Sequence, residues 1–379
     1  MNYGLESKSL FDSLKSDNII ILNKKRKIIS NKDNYYDKSN LYSQDISCLE
    51  YFITDAYNSY SYDNTFCVFK SINDIVLLIY AKKNRSIIIY NLIEFKIVSE
   101  IKKAHKKYIQ RVSHFLDQEN KRDLVMSMTG ISNNIKIWDI NYLELIVNIK
   151  NINKHSELIS ACFLNDNNQI YILAMYSLEY CNLKVFDLKG NMQKKIENCK
   201  ELSYYINTYY DDKLGKNYII TGNDGFCQSY DYTGNKLYHK YCDNDNDKFE
   251  NSIIYHHHFA TISSQKEIVK LIESNTSNDC YIRIWNFHSG ELLKKIKINN
   301  IPYCTCLWSN NYCVIGCFKG NINVLDLNED KIIKDIVIDD ILICIKKINL
   351  PKFGECLLTQ EEVDGKIKLW VIKEIQNLV

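Results

Sequence analysis

Along this chain, short stretches with an apolar residue at every second position alternate with polar turns. "NNIKIWDI" (133–140) is one of them, with Ile135, Ile137 and Ile140 set around Lys136 and Trp138. Successive side chains of an extended segment point to opposite faces, so the pattern predicts strands. Seven segments share this layout: Ser86–Leu92, Asn134–Ile140, Asn182–Leu188, Phe226–Tyr232, Tyr281–Phe287, Asn321–Leu327 and Lys366–Ile372. Each places an aromatic residue or Leu at the same point, namely Tyr90, Trp138, Phe186, Tyr230, Trp285, Leu325 and Trp370, at steps of 48, 48, 44, 55, 40 and 45 residues.

A unit of this length holds four short strands and their turns. So small a sheet cannot cover its own faces, but units set radially cover one another and leave only short edges. The expectation is an all-β fold, a seven-bladed β-propeller with a four-stranded antiparallel sheet in each blade. The order within units agrees. "YLELIVNIK" after Asp139 reads as an outer strand, and the next two strands are joined by the polar turn Asn165–Asn168. The preceding unit has its polar turn at Asp117–Arg122. After Trp370 only "VIKEIQNLV" remains, so the last blade lacks an outer strand unless a terminus supplies one. The N-terminal segment is expected to do so, through Asn18–Ile29 or Asp45–Ile53. Residues 1–60 then form a lead-in, and 61–379 the propeller.

Over roughly residues 60–379 the pattern resembles the WD40-repeat family of seven-bladed propellers. Such repeats tend to carry a His before the innermost strand, an Asp in the turn before the signature strand, and Trp-Asp at its end. His105 and His155 match the His, 33 and 31 residues before Trp138 and Phe186. Asp224, Asp279 and Asp364 match the turn Asp, each six residues before Tyr230, Trp285 and Trp370. Trp138-Asp139 is the one full Trp-Asp pair, and Ser132, Asn84, Tyr180 and Lys319 stand where the turn Asp would be. No repeat combines the His and the Asp, so the family's buried hydrogen-bond network is expected to be incomplete in every blade.

Composition adds little to the fold. Apolar residues make up 46 % and charged residues 25 %, which suits a chain that buries a sizeable core. The net charge of +2 gives no overall basic field for nucleic acid. With 12 Gly and 2 Pro, turn work should fall to Asn and Asp, which tolerate left-handed backbone. The 14 Cys include no Cys-x-x-Cys and mostly sit in apolar runs, as small buried thiols of a reducing compartment do. Cys304, Cys306, Cys313 and Cys317 come nearest to a cluster, but lie among strand residues. No basic start with a long apolar core opens the chain, and no apolar run approaches a membrane span. A cytoplasmic protein, with nuclear access open to it, is the expectation.

Candidate chemistry is sparse. No nucleophile-elbow, zinc-protease or phosphate-loop motif is present. Recurrence of Asp224, Asp279 and Asp364 with the fold's own period points to turn bracing. In "YHHHF" (255–259), His256 and His258 share a strand face without a third ligand. "DNDND" (243–247) lacks the Gly and Glu of a calcium loop. "NKKRK" (23–27) is a basic turn between apolar runs, the other positive charge reads as dispersed Lys, and the paired-Arg motif of phosphoinositide-binding propellers is missing. The Tyr-rich lead-in reads chiefly as burial under the first blade.

The resemblance implies a non-catalytic scaffold that holds protein or peptide partners, as a subunit or adaptor of a complex, with no cofactor or metal. It also implies a contact surface on the loops leading into the inner strands, where Tyr108, Arg111, Glu157 and Tyr204 follow the His positions. The alternatives are a propeller enzyme, with polar residues converging on the central channel, or a phosphoinositide- or nucleic-acid-binding propeller.

Overall fold

The computed structural model describes residues 51–55, 65–130, 134–150, 156–176, 183–196, 203–223, 226–233, 236–242, 258–264, 268–275, 280–309, 311–318, 320–338, 341–361 and 365–371. They form seven antiparallel sheets of four strands each, arranged as a seven-bladed β-propeller. Blades 1 to 6 are consecutive in sequence: 66–101, 111–150, 158–196, 203–241, 258–297 and 302–337. Each begins with its inner strand. Blade 7 takes its first three strands from 342–371, and its outer strand is Tyr51–Asp55, paired with Lys366–Val371 through Tyr51↔Leu369 and Phe52↔Lys368. The N-terminal closure is therefore present, by a strand that overlaps the end of the expected 45–53 segment. Segment 18–29 lies outside the described residues.

Blade 2 shows why these residues form these strands. Its third strand, Asn134–Asp139, is covered on both faces. Ile135 and Ile137 pack against Ala161, Phe163 and Ile172 of blade 3. Trp138, on the other face, packs against Ile79 and Ile89 of blade 1. Each such Ile contributes about 1.5–3 kcal/mol by leaving water. The outer strand, Glu144–Lys150, instead alternates between exposed and buried, as a strand with one wet face should.

The signature position has a geometric cause. In blades 1 to 6 the pairing of third and fourth strands slips by one residue at the aromatic or Leu, for example between Ile137 and Trp138. A β-bulge there bends the strand at the start of its turn. The following Asn or Asp closes that turn through its own side chain. Asp139 Oδ1 accepts from Asn141 N at 2.9 Å, and Asn91, Asp187, Asp231, Asn286 and Asp326 do the same in blades 1 and 3 to 6. Left-handed backbone is shared more widely than composition suggests. It occurs at Asp74, Asn167, Asn168 and Asp330, but also at Arg85, Phe95, Lys103, Lys121, Leu143 and Cys280.

Antiparallel connectivity divides the loops between two faces. The upper face carries the loops leading into each inner strand and those joining second to third strands. The lower face carries the other turns.

Candidate functional site

Polar side chains in this ring are first of all its fasteners. Every seam between blades has a latch. Asp123, in blade 2, accepts from Ile72 N of blade 1 at 3.0 Å. Arg111 of blade 2 donates to Ser160 of blade 3 and, at 2.9 Å, to the Tyr204 carbonyl of blade 4. Asn217 of blade 4 donates to the Asn165 carbonyl of blade 3 at 2.9 Å. Tyr241 of blade 4 donates from Oη to the Phe287 carbonyl of blade 5 at 2.7 Å. Lys270 of blade 5 donates to the Leu327 carbonyl of blade 6, and Lys347 of blade 7 to the Trp308 carbonyl of blade 6. Thr65, at the start of blade 1, donates to Gln360 of blade 7. Buried polar groups cost least when paired in this way.

A second set of contacts braces single blades. In blade 2, Trp138 Nε1 donates to Ser127 Oγ at 2.8 Å, and His105 Nε2 lies 2.8 Å from the same hydroxyl. His105 is buried. Burial, followed by the nearby charge of Lys136, depresses its pKa from 6.5 to about 3. The ring is therefore neutral. Lys136 also donates from Nζ to the Ala104 carbonyl at 2.6 Å. The loop entering blade 2 is thus tied twice to the blade beneath it.

Two other blades repeat the Trp contact with different acceptors. Trp370 donates to Thr359 Oγ1 at 2.7 Å, and Trp285 to Glu273 Oε2 at 2.6 Å. The brace is complete in Trp, acceptor and His only in blade 2 among the described residues. Ser127, Thr359 and Glu273 escaped the sequence reading, although each is a polar residue inside an apolar strand 11 or 12 positions before its Trp.

His155, Asp224, Asp279 and Asp364 lie outside the described residues, as do segments 243–247 and 23–27 and the residues His256 and His257. Of the four candidate contact residues, Tyr108 and Glu157 are exposed on the upper face. Tyr204 is half-buried and offers its carbonyl to Arg111. Arg111 is only 6 % exposed and turns inward, so charge reversal there would test ring closure and not partner binding.

A cavity of about 300 Å3 opens between the inner strands of blades 2, 3 and 4, lined in part by His114, Cys162, Asn207 and Asn217. Its imidazole is committed: His114 Nε2 lies 2.8 Å from Asp123 Oδ1, and the ring stacks on Phe69. Cys304, Cys313 and Cys317 are buried and Cys306 is half-buried, all as free thiols, and burial raises the Cys317 pKa to about 12. Among the described residues no group of three or more His, Cys, Asp or Glu is placed to hold a metal ion, and no helix is long and apolar enough to cross a membrane.

No protein-family model and no curated protein matches the chain. Solved structures do match its fold. One is a crystal structure of BBS1N in complex with ARL6DN soaked with lead, with a TM-score of 0.62 at 10 % identity, covering 86 % of this chain and 99 % of that one. The same complex soaked with mercury gives a TM-score of 0.63 at 10 % identity, covering 86 % of this chain and 98 % of that one. At such identity the likeness is one of fold.

Proposed function

We propose that this chain is a non-catalytic protein-interaction scaffold of the WD40-repeat type, acting as a subunit or adaptor of a larger assembly in the cytoplasm. The observation that carries the reading is the division of labour among its polar groups. Arg111, Asp123 and Lys270 are consumed in fastening blades and His105 in bracing one, while charged side chains in the loops of the upper face stay open to solvent. Rigid frames with open loops suit recognition. The two similar solved structures are of a propeller held by another protein, which favours the same use here. Free thiols throughout the described cysteines suit a reducing compartment.

The test is affinity purification of the tagged chain from its native cell, followed by size-exclusion chromatography and mass spectrometry. Co-elution with one or more proteins in fixed stoichiometry is expected. Migration as a lone monomer would overturn the reading.

A further inference from the structure

Two loops of the upper face concentrate positive charge. The loop joining the second and third strands of blade 1 reads "KKNR" and carries Lys82, Lys83 and Arg85. The loop between blades 1 and 2 reads "KKAHKK" and carries Lys102, Lys103, Lys106 and Lys107. All seven are exposed except Lys82, which is half-buried. The loops are separated in sequence by two strands but touch in space, because Arg85 Nη1 donates to the Lys106 carbonyl at 3.0 Å. In the sequence from Lys82 to Lys107 the carboxylate beside both loops is Glu100. Asn84 donates to it at 3.4 Å, and hydrogen bonds from Ser86 and Asn84, together with Lys102 and Lys82, hold its pKa below the usual carboxylate range.

We propose that these two loops form a docking surface for an acidic segment of a partner protein. The proposal rests on the scaffold reading and names the face and chemistry it would use. Seven cations against one carboxylate leave a strong local excess in a chain whose net charge is only +2. Like charges held together repel, so the cluster is no aid to folding. Glu100 also shows how a carboxylate is received here, by amide and hydroxyl donors with lysines around it.

The surroundings favour a polypeptide over other polyanions. Among the described residues Tyr108 is the one large apolar side chain exposed in either loop, short of the apolar face that membrane-surface binders bury in a bilayer. That single ring is also short of the stacking platform that single-stranded nucleic acid uses. Preorganisation is built in, since Ala104 and His105, at the centre of the lysine-rich loop, are anchored to Lys136 and Ser127. A loop already ordered loses less entropy on binding.

The experiment compares two triple variants of equal net charge by fluorescence anisotropy, using a short labelled peptide of alternating Glu and Gly. One is K83E/K106E/K107E in the patch. The other is K121E/K213E/K352E in lower-face turns. The wild type should bind the peptide, more weakly as salt rises. The patch variant should lose at least about tenfold in affinity, the control less than about threefold, taking each exposed charge pair at its usual small worth. The patch variant should also unfold at a denaturant concentration no lower than wild type, which separates lost binding from lost fold. Equal losses in both variants, or no binding by wild type at low salt, would overturn the proposal. So would tighter binding of phosphatidylserine vesicles or oligo-uridine than of the peptide. In native purification, partners retained by the patch variant sink the docking surface alone, whereas a wild type without partners sinks the scaffold reading.

Discussion

Replacing His105 by glutamine should flatten the acid limb of the protein's stability curve. His105 is 4 % exposed and its folded pKa is held near 3, first by burial and then by Lys136. In the unfolded chain it returns to its ordinary value of 6.5. Below that pH the unfolded state takes up a proton that the folded state refuses. Stability is thus fully present above pH 6.5 and is lost as pH falls toward 3, by about 1.4 kcal/mol per pH unit for this one group. Between pH 7 and pH 5 the loss comes to about 2 kcal/mol. A glutamine amide would still reach Ser127 but cannot titrate, so His105→Gln escapes that loss. Urea unfolding of both proteins at pH 7, 6 and 5 is the assay. Carboxylates contribute equally to the two and cancel in the difference. The gap between them should narrow or reverse by about 2 kcal/mol on acidification. Parallel pH profiles would refute the buried neutral imidazole and the brace built on it.

Deleting residues 1–55 removes the outer strand of blade 7 and bares the edge of Lys366–Val371. The product should aggregate or unfold non-cooperatively, and a monomer with wild-type chevron and midpoint would contradict the closure. Ser127→Ala takes the acceptor from Trp138 and should cost about 1–3 kcal/mol in chemical denaturation, whereas Ser127→Thr, the choice at Thr359 in blade 7, should cost far less. Lys368 and Glu361 form an ion pair with side chains 8 % and 5 % exposed, so Lys368→Met should cost about 3–5 kcal/mol by taking the cation from a buried carboxylate. The double change K368M/E361L should recover most of it, and equal stability of single and double variants would count against the pairing.

The seven-fold period was legible because burial of the third strand on both faces demands the same apolar frame each time, whatever the aromatic at its end. The missing outer strand was legible too, since every other signature strand is followed by one. Bracing partners were less so. Ser127 and Thr359 are single polar residues in apolar strands, and only the fold brings them under a Trp. The Asp of Trp-Asp proved less distinctive than it looked, because Asn91 and Asn286 close the same turn. Arg111 misled for a reason of register. Its place after the His position suggests the rim, but strand alternation directs its side chain inward to Ser160. The basic loops escaped notice because their lysines are separated by a whole strand pair, which reads as dispersed charge along the chain.

Stability and recognition meet in one blade seam. Holding four lysines in a single loop is electrostatically unfavourable, and such a loop left to itself would swing its charges apart. Here its middle is pinned from below: Ala104 by Lys136, His105 by Ser127, and Lys106 from the side by Arg85. Only blade 2, among the described residues, has the full Trp, acceptor and His brace, and only the loop above it carries this charge. The most recognisable residues of the chain, His105 and Trp138, are buried. Their contribution to function is mechanical, since they keep Lys102, Lys103, Lys106 and Lys107 in one place long enough for an acidic segment to find them together.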